Sequence, residues 1–231
     1  MKMKTLTAIL ALASPFAALA EERTVEASFY CFKYAPGAET IQVTDGQNAK
    51  TLRLSTANII GAVPLKVTND EAVIQGIDNT AAAARVKIPK RFNKALVVLV
   101  PAPSGSAEKY RAFAIDFGRD RFRPGTYRMV NISKKAVRGA IGKSYAEVKS
   151  GDTADIELQG DEGATQGVKF EFHEDGKWNR LTETRAAVRR DRRWLVLVHE
   201  DPVTKRMNLR SIPDREQRPT PPPITTAAVA E

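Results

Sequence analysis

Hydrophobic and polar residues alternate along much of the chain, in short runs that turn residues separate. In Val168–His173, for example, Val168, Phe170 and Phe172 are apolar and the residues between them are polar. Successive side chains of a β-strand point to opposite faces, so this period of two predicts a strand with one buried face. Signals for amphipathic helices are short and weak by comparison. The pattern therefore predicts an all-β protein.

Two runs, Leu96–Val100 and Trp194–Val198, are apolar at every position. Such runs are typical of central strands that are covered on both faces. Turn pairs such as Asp45-Gly46 and Pro124-Gly125 separate the predicted strands, and they allow the chain to reverse. The predicted fold is an antiparallel β-sandwich of immunoglobulin-like or transthyretin-like type, with little helix and room for two lobes.

The N-terminal segment has the layout of a secretory signal peptide. Lys2 and Lys4 precede an apolar stretch from Leu6 to Leu12, and Ala18-Leu19-Ala20 is a small-x-small cleavage motif. This order of charge, apolar core and small residues predicts export and cleavage after Ala20. We therefore expect residues 1–20 to be a signal peptide and the protein to be periplasmic or secreted.

The C-terminal segment differs in composition from the predicted β-sandwich body. Residues 213–231 are rich in proline and lack an apolar period, which predicts an extended, disordered tail. The body is expected to span residues 21–212 as one continuous unit. No apolar run in it reaches the roughly 20 residues that a transmembrane helix needs.

Composition excludes several kinds of chemistry. One cysteine excludes a disulfide scaffold, and two histidines provide too few ligands for the usual zinc sites. His173 and His199 each lie near a strand end, where turn and surface roles are commonest. No phosphate-binding loop, dinucleotide fingerprint or nucleophile elbow is present. We therefore expect no metal, no cofactor and no catalytic residue.

Positive charge is concentrated in two segments. Seven basic residues against Asp120 give Arg119–Arg138 a net charge of +6, and five arginines against Asp191 give Thr184–Arg193 a net charge of +4. The run Arg189–Arg193 is predicted to form a hairpin tip between strands Ala186–Arg190 and Trp194–His199. A guanidinium pairs bidentately with carboxylate or phosphate, so these segments supply candidate anion-binding residues. The candidates are Arg121, Arg123, Arg128, Arg189, Arg190, Arg192 and Arg193.

A second interpretation assigns these arginines to ordinary ion pairs. Possible partners across strands are Glu171, Glu183, Glu200 and Asp116. Exposed charges of this kind contribute little to stability and are commonly only solvated.

Three classes of function remain compatible with these features. The favoured one is a non-enzymatic envelope protein that binds or scaffolds, with an envelope protein or an anionic polymer as its partner. The alternative is an envelope-polymer hydrolase, a glycosidase or peptidase, for which Asp152, Asp155 and Glu157 are candidate acids. Nucleic acid is a third partner class, but aromatic residues, which would stack on bases, make up only 7% of the chain. The oligomeric state is left open.

Overall fold

The computed structural model describes residues 20–77, 81–201 and 204–215. The predicted signal peptide, apart from Ala20, and the predicted tail beyond Arg215 lie outside this part of the chain. The first half forms β1 (Glu22–Cys31), β2 (Thr40–Thr44), β3 (Ala49–Arg53), β4 (Ile60–Thr68), β5 (Glu71–Gly76), β6 (Ala82–Lys87), β7 (Lys94–Pro101) and β8 (Tyr110–Asp116). The second half forms β9 (Thr126–Asn131), β10 (Val137–Ile141), β11 (Ser144–Val148), β12 (Thr153–Glu157), β13 (Thr165–Glu174), β14 (Lys177–Ala187), β15 (Arg192–Glu200) and β16 (Met207–Arg215).

The described residues form these 16 strands and no helix, which confirms the all-β class. No helix in this part of the chain is therefore long and apolar enough to cross a membrane. The sheets are mostly antiparallel, but β1 pairs with β7 and β9 pairs with β15 in parallel. The expectation of purely antiparallel sheets was wrong at these two pairs. Alternation shows which face of a strand is buried, but it does not encode the direction of the neighbouring strand.

The first eight strands form one sheet that curls around its own core, and we call them the N-terminal lobe. The sheet order is β3-β2-β5-β4-β1-β7-β8, and β6 pairs with β5. The curl brings β6 beside β8, although these two strands share no ladder. Leu65, Ile74 and Val97 are among the side chains that fill the enclosed core.

The last eight strands form two four-stranded sheets that pack face to face, and we call them the C-terminal lobe. One sheet has the order β11-β10-β13-β14 and the other has the order β12-β9-β15-β16. Met129, Val137, Phe170 and Val196 are part of the core between them. The β9 sheet is also packed on its other face, because it lies against the N-terminal lobe.

A third hydrophobic cluster joins the two lobes, and we call it the interlobe core. Leu96 and Val98 of β7 pack in it with Leu195 and Leu197 of β15. Both β7 and β15 are thus covered on two faces, as their uninterrupted apolar runs predict.

The predicted hairpin at Arg189–Arg193 was wrong. The segments predicted as two strands, Lys177–Thr182 and Ala186–Arg190, form mainly one long strand, β14, which pairs with β13. The next strand, β15, pairs with β9 and β16 in the other sheet. The segment between β14 and β15 therefore crosses from one sheet to the other. At the C-terminus, β16 continues to Arg215, past the predicted end of the body at Ile212.

Candidate functional site

The seven candidate arginines fall into two groups. Arg128 and Arg193 are buried on β9 and β15, at the face that packs against the N-terminal lobe. The other five lie in loops or at a strand end, and four of them are exposed. The charged segments Arg119–Arg138 and Thr184–Arg193 lie next to each other, because the backbone N–H of Gly125 donates to the carbonyl oxygen of Arg192 at 2.7 Å.

Arg128 is held by groups of the protein itself. Its Nε and Nη2 donate to the two carboxylate oxygens of Asp155 on neighbouring β12, both at 2.7 Å. Its Nη1 donates to the carbonyl oxygen of Asp116 at 2.6 Å, and Nη2 donates also to that of Arg121 at 2.7 Å. The guanidinium lies 4.5 Å from the ring centre of Phe122. Through these hydrogen bonds the guanidinium of Arg128 connects β9 to the end of β8 and to the loop that follows it.

Arg193 has a similar role on β15. Its Nε donates to Asp214 of β16 at 2.7 Å, and its Nη1 donates to the carbonyl oxygens of Phe117 and Phe122 at 3.1 and 2.8 Å. Its guanidinium lies 4.0 Å from the ring centre of Phe117. Burial lowers the pKa of Arg193, and the bond to Asp214 opposes that effect.

Arg210 completes this arrangement, and sequence reasoning missed it because it lies outside both charged segments. Its Nη1 bonds the hydroxyl of Tyr30 at 3.1 Å and the carbonyl oxygen of Thr56 at 3.2 Å, and its guanidinium lies 4.3 Å from the ring centre of Phe32. We call Arg128, Arg193 and Arg210 the interlobe clamp. Its guanidinium groups serve contacts between the lobes.

The remaining candidates contact nearby acids or backbone carbonyl oxygens. Arg121 pairs with Asp116 at 3.1 Å, Arg189 with Glu162 at 3.5 Å, and Arg192 with Asp191 at 2.8 Å. Arg190 donates to the carbonyl oxygen of Gly160 at 2.7 Å, and Arg123 donates to that of Asp120 at 3.4 Å. Exposed ion pairs of this kind contribute little to stability. Anion binding by these five residues stays a prediction.

Two cavities contain candidate arginines, and the first is an open corner of the C-terminal sandwich. The cavity measures about 440 Å³ and lies between β14 and β16. The inner face of β14 contributes only the small residues Thr182, Thr184 and Ala186 there. Because these side chains do not reach the opposite sheet, a space remains above Trp194. We call this cavity the aromatic corner; it is lined by Tyr127, Val168, Phe170, Thr182, Thr184, Ala186, Ala187, Arg189, Arg192, Trp194, Leu209 and Ser211.

Tyr127 and Trp194 lie side by side in the aromatic corner. They are opposite one another on the parallel strands β9 and β15, and their rings stack 5.4 Å apart with an interplanar angle of 10°. The indole Nε1 of Trp194 is buried and has no hydrogen-bond partner among the described residues. Burial raises the pKa of Tyr127, and the charge of Arg192 opposes that effect. The corner thus combines an aromatic surface with two cations.

The second cavity lies between the lobes along β8 and measures about 540 Å³. Arg91, Arg121 and Arg128 line it together with Asp116 and Asp152. The carboxylate of Asp116 is already occupied, since it accepts from the N–H of Gly118 at 3.2 Å in addition to pairing with Arg121. The opposite charges nearly balance, so this interlobe groove has no dominant sign.

Other titratable groups offer little reactivity. Cys31 is buried in the N-terminal core, and burial raises the pKa of its thiol to about 11. Burial lowers the pKa of His199 to about 4, and its ring contacts Phe32 with centres 3.7 Å apart. His173 is exposed against Trp178. Within the described ranges, no group of three or more His, Cys, Asp and Glu is placed to hold a metal ion.

No protein-family model matches this sequence, and no curated protein matches it. The functional argument therefore depends on the geometry of the cavities and on the charges around them.

Sequence reasoning placed Arg189 and Arg192 among the candidates but missed the stacked aromatic pair. Tyr127 and Trp194 each lie next to an arginine in the sequence, which does not indicate that the two rings are in contact. A usable signal was the alternation of small residues at Thr182, Thr184 and Ala186, which makes one face of a strand too small to fill a sandwich. Only the pairing of β9 with β15 shows what lies opposite that face.

Proposed function

We propose that this protein is an exported, non-enzymatic binding protein of the cell envelope, and that the aromatic corner takes up an amphiphilic anion. The observation that carries this proposal is the open cavity itself, in which the Tyr127–Trp194 stack lies beside Arg189 and Arg192. Apolar walls with a few polar groups are typical of small-molecule sites.

The lining of the corner defines the ligand class. The Tyr127–Trp194 stack and Phe170 favour an apolar or aromatic body. Arg189 and Arg192 favour a carboxylate, sulfonate or phosphate group at the opening, where it would replace Glu162 and Asp191 as their partner. A neutral molecule of the same shape would form no charge-assisted hydrogen bonds with these two arginines and would therefore bind more weakly.

The type of fold and the location of the protein belong to the same proposal. An immunoglobulin-like or transthyretin-like sandwich suits a binding protein, because loops and open edges at the end of a sandwich provide its sites. Export through the signal peptide at residues 1–20 would place the protein in the periplasm or outside the cell. The mass of the exported protein tests this point, since cleavage after Ala20 leaves Glu21 as its first residue.

Tryptophan fluorescence tests binding in the corner. The chain has two tryptophans, so Trp178→Phe leaves Trp194 as the sole reporter. Naphthalene-2-sulfonate combines an apolar ring system with one acid group, and naphthalene-2-methanol is its neutral counterpart. We expect the sulfonate to change Trp194 fluorescence saturably and the alcohol to bind more weakly.

Two variants check that the change comes from the corner. Arg189→Gln with Arg192→Gln should weaken sulfonate binding about tenfold, because charge-assisted hydrogen bonds are lost. Ala186→Phe should fill the cavity and abolish binding, whereas Glu183→Gln on the outer face of the same strand should leave it unchanged. Equal binding of the two naphthalenes, or no saturable signal, would contradict the proposal.

The alternative function, an envelope-polymer hydrolase, has one observation in its favour. Asp116 and Asp152 line the same interlobe groove, and paired carboxylates in one cleft are the usual machinery of glycosidases. Of the acids favoured by sequence, Asp155 is held by Arg128 instead. Release of soluble fragments from purified cell-wall polymers by the wild-type protein, lost in Asp152→Asn, would support this alternative over the binding function.

A further inference from the structure

Within the described residues, the long strand β14 has one unpaired edge. It spans 11 residues, pairs with β13 on one side, and is the last strand in the order of its sheet. A strand in this position presents a row of backbone N–H and C=O groups that another strand can pair with.

Other edge strands of the C-terminal lobe are shorter or carry a blocking residue. β11 and β12 have five residues each, and β16 contains Pro213, which cannot donate to a ladder. β14 contains no proline, and its inner-face residues Thr182, Thr184 and Ala186 are uncharged. Its pairing with β13 contains one bulge at Leu181, but from Thr182 to Ala187 the edge has neither a proline nor an inward-facing charge to prevent edge pairing.

The outer face of β14 carries charges that are poorly matched within the molecule. The guanidinium of Arg185 has no hydrogen bond or ion pair within the described residues, although the backbone of Arg185 pairs with Gly167 of β13. Glu183 meets Arg180 only at 3.5 Å, with both side chains more than half exposed. Glu183 also lies opposite Lys169 in the ladder, but the ammonium of Lys169 pairs with Glu171 at 2.9 Å instead.

These charges become complementary in one arrangement with two-fold symmetry. When a second β14 runs antiparallel with Thr184 opposite Thr184, Glu183 of each copy lies opposite Arg185 of the other. Two opposite-charge pairs then form across the axis, each in the directly facing position that favours pairing. On the inner face Thr182 lies opposite Ala186, so only small side chains meet there.

We propose that β14 is a self-association surface that pairs antiparallel with β14 of a second copy of this chain, with Thr184 at the two-fold axis. The sheet β11-β10-β13-β14 then continues into its copy as one eight-stranded sheet. Such an isologous contact is the commonest symmetry of homodimers. Its area is limited to one strand edge, so we expect a dimer that dissociates on dilution. This inference is independent of the ligand proposed for the aromatic corner.

Sedimentation velocity over a concentration series tests the charge pairing. The mature protein should show a concentration-dependent dimer. Glu183→Arg and Arg185→Glu should each give a monomer, because four like charges then meet at the axis. The double variant Glu183→Arg/Arg185→Glu should restore the dimer, since exchanging both charges keeps each facing pair opposite in sign.

Arg180→Glu is the matched control on the same strand. In this register Arg180 lies opposite Val188, outside the charged pairs, so the variant should still dimerise. Equal melting temperatures of all four variants will show that the lobe remains folded. A wild-type protein that stays monomeric throughout the series, or a double variant that remains monomeric, would overturn the proposal.

Cysteine crosslinking tests the register directly. Thr184→Cys places two thiols in facing positions at the axis, within reach of a disulfide. In Thr182→Cys the two positions are offset by four residues along the strands, about 14 Å at 3.4 Å per residue, which no disulfide spans. The native Cys31 is buried and does not compete. A crosslinked dimer only with Thr184→Cys supports the inference, and crosslinking equal in both variants, or absent from both, contradicts it.

Discussion

At the scale of single residues, Arg193 shows how position in the fold decides what a charge does. By composition it belongs to a run of surface arginines, yet only 5% of its surface is exposed. Its neighbours Arg190 and Arg192 belong to the same run but contact a carbonyl and an adjacent acid near the surface. Alternation along β15 turns Arg193 toward the N-terminal lobe, where Asp214 and two carbonyl oxygens accept its hydrogen bonds.

We predict that Arg193→Gln strongly lowers the free energy of unfolding. Removing one partner of a buried ion pair leaves Asp214 uncompensated and typically costs about 3–5 kcal/mol. Arg190→Gln, on the exposed part of the same run, should change stability by no more than about 0.5 kcal/mol. Urea unfolding of both variants measures the difference, and equal stability of the two would contradict the structural role of Arg193.

His199 makes stability depend on pH. Its pKa is lowered from 6.5 to about 4, mainly by burial and in part by the charge of Arg210, while a hydrogen bond with the backbone of Asn208 and the charge of Asp201 oppose the shift. Its buried Nδ1 has no partner among the described residues. The unfolded chain binds a proton below pH 6.5 while the folded chain stays neutral, so stability falls as the pH drops from about 6.5 toward 4, by up to about 3 kcal/mol.

His199→Gln should remove this contribution. We expect the difference in unfolding free energy between pH 7 and pH 4.5 to be smaller in His199→Gln than in the wild type. His173→Gln, which changes an exposed ring, should keep the wild-type slope. If His199→Gln also keeps it, the carboxylates alone cause the acid sensitivity.

At the scale of elements, the end of β16 fixes where the chain can be shortened. Trp194 pairs with Pro213, Arg193 with Asp214, and Arg192 with Arg215. A chain that ends at Ile212 loses these pairs and the acid that neutralises Arg193. It should melt several degrees below the full mature protein, since about 1 kcal/mol corresponds to 2–4 °C in a domain of this size.

A chain that ends at Arg215 is the control, and it should melt close to the full mature protein. Differential scanning calorimetry of the two truncated chains makes the comparison. If the Ile212 chain melts like the Arg215 chain, the last residues of β16 contribute nothing to stability.

Strands were predictable from sequence because burial imposes a local period of two. This signal located the apolar runs of β7 and β15 and identified them as central strands. This signal did not reveal which strands pair with each other, because pairing depends on contacts between segments that are distant in the sequence. The arginines between β14 and β15 were therefore assigned to a hairpin, although the chain there crosses between sheets. For the same reason, the stack of Tyr127 on Trp194 was out of reach, since it requires the parallel pairing of β9 with β15.

At the scale of the whole molecule, the interlobe core should make both lobes unfold together. Leu96, Val98, Leu195 and Leu197 are each completely buried in it. Separating the lobes would expose them and would break the interlobe clamp. We predict a single cooperative transition for the body, as expected if residues 21–212 are one continuous unit.

The chain contains its own reporters for this test. Trp178 and Trp194 lie in the C-terminal lobe, and the single Cys31 lies in the core of the N-terminal lobe. Tryptophan fluorescence and pulsed thiol labelling should give the same urea midpoint. Labelling of Cys31 at a clearly different urea concentration would show that the lobes unfold independently.

The β9 sheet forms one wall of both the aromatic corner and the interlobe contact. Tyr127 and Trp194 face the corner, while their chain neighbours Arg128 and Arg193 face the other lobe. A strand is thin and stiff, so a displacement that widens the corner also moves the guanidinium groups behind it. Ligand binding of the kind we propose for the corner would therefore be coupled to contact between the lobes, and the coupling would act equally in both directions. Loosening the clamp would change affinity in the corner without touching a single residue that lines it.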